Sequence, residues 1–162
     1  MADTGFQLLL NQLAKVVGGT VNPKDSHFFS GAIAADGTGI DGIKGCYSLP
    51  PKNITTTPVG IILPGPFKAQ LASQGEEDNE DEVRLLLLVA PYDGTYTYAT
   101  LTPFRDLVTA AFRAHMSAGG LVDQYAWVSA GTPAVHSWGG LDYFAWDFTI
   151  SVHRSLAVTY TA

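Results

Sequence analysis

A run of carboxylates is the part of the sequence with the most obvious capacity for chemistry. Within "QGEEDNEDEVRLLLLVAPYD" (residues 74–93), six acids precede an apolar run: Glu76, Glu77, Asp78, Glu80, Asp81 and Glu82. Carboxylate oxygens are the ligands that hard cations such as calcium prefer. The run lacks the D-x-[DN]-x-[DN]-G spacing of a calcium loop, and adjacent carboxylates cannot all converge on one ion. The pattern instead favours a solvated acidic hairpin loop over residues 70–82, because like charges repel and stay hydrated.

A glycine pattern, "GTGIDG" at residues 37–42, has the letters of a dinucleotide-binding motif. Such a motif needs a strand before it and a helix after it, because the helix N-terminus holds the pyrophosphate. Gly45, Pro50 and Pro51 follow instead, and prolines and glycine disfavour a helix at that point. We therefore predict a loop, and no cofactor is expected.

The other chemistry-bearing residues are scattered along the chain. The four histidines, His27, His115, His136 and His153, show no zinc-ligand spacing. Cys46 is the single cysteine, and no motif of a catalytic nucleophile surrounds it. Neither a G-x-S-x-G elbow nor a P-loop occurs. These patterns predict no metal site and no catalytic residues, so the chain is not expected to be an enzyme.

Negative charge is concentrated in one place. The chain has 162 residues with 15 acids and nine lysines and arginines, which gives a net charge of −6. The acids of residues 76–82 account for the whole imbalance, because the rest of the chain balances nine acids against nine bases. A nucleic-acid-binding protein usually has a basic excess or stripe. This sequence has neither, and we expect it to repel DNA rather than bind it.

No targeting or membrane-spanning segment is predicted. The start, "MADTGFQLLLNQLAKVVGG", carries Asp3 where a signal peptide carries positive charge, and Asn11 and Gln12 interrupt its apolar stretch. No window contains 18 consecutive apolar residues, so neither a transmembrane helix nor a membrane partner is expected.

Two helices are predicted from apolar spacing. Residues 5–17 repeat apolar side chains at the spacing of one helix face, and Gly18 and Gly19 provide a stop. The second helix is predicted to begin with Thr102 as its N-cap and Pro103 in its first turn, and to end at Gly119 and Gly120. Its apolar face is expected to comprise Phe104, Leu107, Val108, Ala111, Phe112 and Met116.

Strands are predicted on either side of the second helix. Residues 59–63 are predicted to form a short buried strand that Pro64 and Pro66 stop. Residues 83–90, which are apolar on both faces except at Arg84, are predicted to form a central strand. Residues 143–153 alternate with a period of two and pair with 121–130, while 131–140 form a turn. Residues 18–57 are loop-rich. Together these elements predict one α+β domain over residues 1–162, with a mostly antiparallel sheet of four or more strands and an N-terminal and a central helix packed on it.

Several short motifs stand in a distinctive order. "YSLPPKNITTTPVGIILPGP" (47–66) places a tyrosine before a proline pair and an apolar strand, and an acidic loop and "VRLLLLVAPY" follow. The helix "LTPFRDLVTAAFRAHMSAGG" and the aromatic strand "GGLDYFAWDFTISVH" complete the order. With the N-terminal helix, this succession resembles the tail terminator (tail completion) proteins of long-tailed bacteriophages. The resemblance covers most of the chain, although segment 20–45 departs from the compact forms of that family.

The resemblance implies a structural virion protein at the head–tail interface, assembled in the host cytoplasm. Its partners would be copies of itself in a hexameric ring, the tail tube protein, and a neck or connector protein on the head side. The ring would cap the finished tube, stop further addition of tube protein and offer a surface for joining the head. DNA would pass through its lumen without specific binding, and the family has no cofactor and no catalytic residue to transfer.

Three alternatives remain open from the residues. The nearest is another neck or tail-tube component of the virion. A nucleotide-binding enzyme that uses "GTGIDG" is the second, and a calcium-responsive module that depends on Asp78 and Asp81 is the third. Within the preferred reading, the acidic loop is expected to face either the ring lumen or the docking partner.

Overall fold

The computed structural model describes residues 3, 5–30, 33–73, 75–94 and 98–157, with side chains described for these except 70–73, 76, 98, 124–127, 156 and 157. This part of the chain contains two helices and eight strands in the order one helix, five strands, one helix and three strands. A short 3-10 turn at Ala118–Gly120 precedes the last three strands. The elements are α1 (Gly5–Gly18), β1 (Val21–Asn22), β2 (Asp25–Phe29), β3 (Gly45–Tyr47), β4 (Val59–Ser73), β5 (Glu76–Pro91), α2 (Tyr98–Ala114), β6 (Gln124–Ala130), β7 (Ala134–Trp138) and β8 (Leu141–Ala157).

The strands form one curled sheet. Its order is β1-β2-β3-β4-β5-β8-β6, and β7 pairs with β8 beside β6. Of the described pairings only that of β3 with β4 is parallel, and the others are antiparallel. The predicted α+β class, with a mostly antiparallel sheet and an N-terminal helix, is confirmed.

Three adjacent strands are much longer than the rest. β4, β5 and β8 contain 15, 16 and 17 residues. At about 3.3 Å per residue, each spans about 50 Å. The central member, β5, pairs with β4 on one side and with β8 on the other along nearly its whole length. These three strands form the frame on which the polar residues are placed.

The larger core lies on one face of the sheet, which we call the helix face. Both helices pack there, and their buried side chains meet every second residue of β5 and β8. The alternation follows from strand geometry, since successive side chains point to opposite faces. The fully buried residues of this core include Leu9, Leu13, Val108, Phe112, Leu85, Leu87, Phe148 and Ile150.

A smaller core covers only one half of the opposite face. Its buried members are Val59, Ile61, Leu86, Leu88, Tyr143 and Ala145. The segment before β4 closes over them, where Trp138 donates from Nε1 to the Pro51 carbonyl at 2.9 Å. Farther along β5, Arg84, Glu82 and Glu80 on this face are exposed. The long strands therefore extend past their cover on this side.

Helix α1 forms as its spacing predicts. Leu9, Leu10, Leu13 and Val17 are buried. The helix ends at Gly18, and Gly19 follows with a φ of 88° and donates its N–H to the Lys15 carbonyl at 2.8 Å. Gly18 lies so close to the Phe29 carbonyl that a Cβ there would overlap it. The glycine pair thus stops the helix and allows it to pack against β2.

Helix α2 begins earlier than predicted. It starts at Tyr98, so Pro103 lies inside it and the prediction of Thr102 as N-cap is wrong. It ends at Ala114 rather than at Gly119. Leu101 is buried, although it was not part of the predicted apolar face. Leu107 and Met116, which were predicted on that face, are exposed. Pro103 is the sixth residue of the helix, past its first turn, so the helix lacks there the hydrogen bond that an N–H would make to the Ala99 carbonyl.

Strand β4 continues where the sequence predicted a stop. Pro64 and Pro66 lie within it, and the pairing with β5 is irregular between Pro64 and Phe67. β3 pairs only with Val59 to Ile61, so β4 is the outer strand from there onward. A proline on an outer strand removes no N–H that a neighbour needs, which explains why the strand survives.

The predicted acidic loop is a strand. β5 begins at Glu76, and all six acids are paired with β8. Five of them also have a partner on β4, and the exception is Glu82, which lies opposite the irregularity between Pro64 and Phe67. β4 ends at Ser73 and β5 begins at Glu76, and Gly75 just before β5 has a φ of 92°. Pairing on both sides supplies the backbone hydrogen bonds that hold a charged segment extended, and this outweighs the poor strand propensity of acids.

Half of the segment predicted as a turn or long hairpin loop, 131–140, is strand. β7 pairs with the first part of β8, and β6 pairs with the later part. The turn is confined to Gly139 and Gly140, with φ values of 60° and 85°. Two consecutive positive φ values suit a tight two-residue hairpin turn, which glycine adopts at little cost. β6 and β7 thus form an interrupted strand along one edge of β8.

The loop-rich segment 18–57 contains three short strands separated by turns. β1, β2 and β3 extend the sheet beside β4. The "GTGIDG" residues form turns between β2 and β3, with positive φ at Gly37, Gly39 and Gly42. No helix follows them before β3, so the predicted loop is confirmed.

Candidate functional site

The alternation of β5 divides the acids between the two faces of the sheet. Asp78, Glu80 and Glu82 share the face opposite the helices, and Glu77 and Asp81 share the helix face. Glu76 lies in the same strand, and its side chain is outside the description. The acids of residues 76–82, which are neighbours in the sequence, therefore form two groups with different surroundings.

We call the group opposite the helices, with its neighbours, the acidic face, which comprises Asp78, Glu80, Glu82, Lys68 and His153. In the strand register Glu80 stands between Lys68 of β4 and His153 of β8. Asp78 accepts a hydrogen bond from the Ser155 hydroxyl at 3.1 Å. Glu80 and Glu82 are exposed, and an open groove runs beside them along Pro66, Phe67 and Ser151.

An ion pair borders the acidic face. Arg84 binds Asp147 through both its Nη2 and its Nε, and the Nε to Oδ1 distance is 3.3 Å. The hydrogen bond to Asp147 raises the pKa of Arg84 above its ordinary value. Because Arg84 already binds Asp147, its charge is not directed at the carboxylates of Glu80 and Glu82.

On the helix face, Asp81 is buried and Glu77 is half-buried. Asp81 accepts a hydrogen bond from Nη2 of Arg154 at 2.6 Å. Asn79, directly opposite Arg154 in the register, is also buried, and its Oδ1 and Nε of Arg154 have no hydrogen-bond partner among the described groups. Asp81 and Asn79 are buried, and the Arg154 side chain is 16% exposed, so little of this cluster is open to a ligand.

Lys68, His153 and Arg154 lie beside the acids, although none of the three was predicted there from the sequence. They lie on β4 and β8, far from β5 in the chain. The period of two in 143–153 was the one available signal, since it placed the odd and even residues of β8 on opposite faces. The register that brings His153 to Glu80 was not available from the sequence.

The remaining chemistry-bearing residues lie elsewhere. His27 Nε2 is 3.1 Å from Asp3 Oδ1, and Asn11 donates to Oδ2 of Asp3 at 2.8 Å. These bonds, first that from His27 and then that from Asn11, lower the pKa of Asp3. His115 lies 3.3 Å from the Gly37 carbonyl. The structure brings neither histidine to the acidic face.

Cys46 is buried within the sheet. It pairs with Phe29 of β2 and Gly60 of β4, and it belongs to the core on the helix face. Burial raises the pKa of its thiol, because a thiolate is poorly solvated there. The group is therefore not activated as a nucleophile.

Among the residues that the structure describes, no group of three or more His, Cys, Asp or Glu side chains is placed to hold a metal ion. Neither helix in the described part of the chain is long and apolar enough to cross a membrane.

The edges of the sheet beside the acidic face are open. Along β4, no described strand pairs with the outer side beyond Ile61. At the other edge, no described strand pairs with the outer side of β6 or β7. Unpaired strand edges are templates for pairing with another chain. The acidic face thus lies between two edges that can each receive a strand.

No family model matches the chain, and no curated protein is significantly similar to it.

Proposed function

We propose that the protein is a ring-forming structural component of a phage virion, the tail terminator at the head–tail interface. The resemblance in the order of elements motivates the proposal. The observation that carries it is the row of half-buried Asp78 and exposed Glu80 and Glu82, which lies between two strand edges that no described strand covers. A subunit of this kind can join its neighbours and present the same polar face at every position.

Rings of identical subunits use head-to-tail contacts, in which two different surfaces meet and the rotation closes. A chain with two separate open edges has two such surfaces. The acidic face lies on the strands between them, so closure would place every copy of that face on the same side of the ring. Facing inward, it would line the lumen with carboxylates.

An acidic lumen suits a channel through which DNA passes without binding. Phosphates and carboxylates repel each other, and salt screens the repulsion over about 10 Å at 0.1 M ionic strength. The effect therefore acts on DNA that comes near the wall and does not extend across a wide pore. The charge at the lumen wall would therefore be an ordered row on β5 and not the predicted acidic loop.

The proposed partners are copies of this chain, the tail tube protein on one side and a neck or connector protein on the other. The nearest competing proposal is that the chain is a tail tube protein. Open sheet edges would also favour the assembly of a tube protein. A tube protein polymerises into long tubes, whereas a terminator stops at one ring. The two proposals therefore differ in an observable product.

The test is negative-stain microscopy and native mass spectrometry of the purified full chain, alone and mixed with tail tubes. Rings with a central lumen, free or seated on tube ends, are expected. Long tubes from the chain alone would assign it to the tube. Monomers in both samples would overturn the ring proposal.

A further inference from the structure

Two Asp-Gly pairs lie close together between β2 and β3, at residues 36–37 and 41–42. The backbone nitrogen that follows an aspartate can attack the side-chain carboxyl, and glycine hinders this approach least because it has no Cβ. We propose that Asp41 is a site of spontaneous backbone modification, at which the native protein converts aspartate to isoaspartate. The modification depends on one turn of the fold and not on the proposed function.

The reaction uses only the chain and solvent water. The Gly42 nitrogen attacks Cγ of Asp41 and forms a new N–Cγ bond, while the amide hydrogen and the hydroxyl of the protonated carboxyl leave as water. The product is a five-membered cyclic imide. Water then breaks the bond between that nitrogen and the former main-chain carbonyl, so the chain continues through Cβ and Cγ. One water is lost and one is gained, and isoaspartate therefore has the mass of aspartate.

The turn at Asp41 leaves the reacting atoms free. Ile43 donates its N–H to the Ile40 carbonyl at 3.2 Å, and Gly42 has a φ of 90°, which together are typical of a type II turn. Among the residues that the structure describes, none forms a hydrogen bond with the Asp41 carboxylate or the Gly42 N–H. Both residues are exposed, and a Cβ added at Gly42 would meet nothing within 4 Å. The imide ring can therefore close without displacing a neighbour.

The other pair, Asp36 and Gly37, has the same two residues, but its reacting atoms are held. Lys15 Nζ lies 2.8 Å from Oδ2 of Asp36. Thr38 donates to Oδ1 from its N–H at 3.1 Å and from its hydroxyl at 2.7 Å. The Gly37 N–H donates to the Ala34 carbonyl at 2.9 Å. Attack at Asp36 requires at least one of these bonds to break, so the fold distinguishes two pairs that are alike in sequence.

Isoaspartate would disturb the packing of this segment. It places one more carbon in the main chain between Ile40 and Ile43, which are both buried in the larger core. Gly39 and Ile40 also donate their N–H groups to the Val16 and Val17 carbonyls at the end of α1, each at 3.0 Å. The longer turn has to displace an isoleucine or weaken one of these bonds, so the modified chain is expected to be less stable.

Peptide mapping of aged protein tests the proposal. The full chain is incubated at 37 °C and pH 6 for several weeks, with a freshly purified sample as the background. Trypsin releases residues 25–44 as one peptide, because Lys24 and Lys44 bound it, and electron-transfer fragmentation then compares both pairs within one molecule. We expect isoaspartate to accumulate about tenfold faster at Asp41 than at Asp36, since one hydrogen bond to a charged group can slow the attack by that factor.

The same chain aged in guanidinium is the reference for the effect of the fold. There the two positions are expected to react at similar rates, because the bonds that hold Asp36 are lost on unfolding. Equal rates in the native protein, or a faster rate at Asp36, would overturn the proposal. A tenfold difference that persists in guanidinium would also overturn it, because the preference would then come from the local sequence.

Asp41→Glu is the matched variant. It keeps the negative charge, but attack on its longer side chain requires a six-membered ring, which closes more slowly. Aged Asp41→Glu is expected to keep its midpoint of thermal unfolding, whereas the aged protein with Asp41 loses stability in proportion to its isoaspartate content. Circular dichroism before ageing checks that the variant is folded. Equal losses in the two chains would show that modification of Asp41 does not disturb the turn, against the proposal.

Discussion

Asp81 and Arg154 form an ion pair across β5 and β8, with Oδ2 and Nη2 2.6 Å apart and side chains only 5% and 16% exposed. This pair shows that part of the acidic run is buried and paired. Asp81 lies among residues that were predicted to form a solvated loop. It is nevertheless one of the most buried polar side chains in the described part of the chain. Its neighbours Glu80 and Glu82 point the other way and are exposed.

Removal of one member of this pair should be costly. We expect Asp81→Ala to lower the free energy of unfolding by about 3 kcal/mol, because Arg154 would keep a largely buried charge without its partner. Urea unfolding followed by circular dichroism measures the change. The matched control is Asp147→Ala, which breaks the Arg84 pair, where the side chains are 46% and 27% exposed. That loss should be about 0–1 kcal/mol. Equal losses would contradict the distinction between the two faces.

Neutralisation of the acidic face should change DNA passage and not assembly. We expect the triple variant Asp78→Asn, Glu80→Gln, Glu82→Gln to form rings, while particles that carry it eject DNA more slowly at low salt. The difference should shrink at high salt, since the Debye length falls to about 3 Å at 1 M. Ejection rates from purified particles provide the measurement.

A charge-matched control removes three acids from other places: Glu77→Gln, Asp41→Asn and Asp106→Asn. None of these residues lies on the acidic face. Particles with this variant should eject at the normal rate. Equal slowing by both triple variants would mean that net charge, rather than the acidic face, governs passage.

Acid should weaken the fold partly through Asp36. Lys15 Nζ lies 2.8 Å from Asp36 Oδ2, and the hydrogen bonds from Lys15 and then from Thr38 lower the pKa of Asp36 below its ordinary 3.8. The unfolded chain therefore binds this proton at higher pH than the folded chain does. The stabilisation is present above pH 3.8 and is lost as pH falls from there through the folded pKa. The pKa of Asp3 is lowered in the same direction.

The measurement is the urea midpoint between pH 6 and pH 2.5. Asp36→Asn should show a smaller fall than the unmodified protein in the acid range, because its share of the pH dependence is gone. Asp41→Asn, an exposed acid in the neighbouring turn, serves as the control. If Asp36→Asn follows the unmodified curve, the pair with Lys15 contributes nothing to acid sensitivity.

The buried thiol should be inert in the native state. Cys46 is fully enclosed, and burial raises the pKa of its thiol. We expect no reaction with a thiol reagent such as dithionitrobenzoate at pH 8, and stoichiometric reaction after unfolding in guanidinium. A native rate equal to that of free cysteine would show that the β3–β4 region opens readily.

Two glycines in α1 offer a test of its packing. A Cβ at Gly18 would overlap the Phe29 carbonyl oxygen, whereas a Cβ at Gly5 meets nothing within 4 Å. Gly18→Ala should therefore destabilise the fold by about 1–3 kcal/mol, since the helix would have to shift away from β2. Gly5→Ala should be neutral or stabilising by about 0.5–1 kcal/mol, because alanine favours a helix. Thermal unfolding compares the two, and a larger loss from Gly5→Ala would contradict the described packing.

Local patterns predicted the elements whose signals are short-range. The spacing of Leu9, Leu10 and Leu13 predicted α1, and the alternation of 143–153 predicted the middle of β8. The same patterns failed where a neighbour changes what a residue needs. Pro64 and Pro66 did not end β4, because an outer strand has no partner for the missing N–H groups. Pro103 did not begin α2, because the helix starts a turn earlier at Tyr98.

The sequence by itself determined the α+β class, the concentration of negative charge in residues 76–82 and the burial of the apolar run that follows. These depend on composition and on periods of two and 3.6 residues, which are local properties of the chain. Only the tertiary structure decided that the acidic run is a strand, that Asp81 is enclosed by Arg154, and that Glu80 stands between Lys68 and His153. Those outcomes depend on the register of β5 against β4 and β8. Register is fixed by side chains packing between strands that are distant in sequence, so no local pattern contains it.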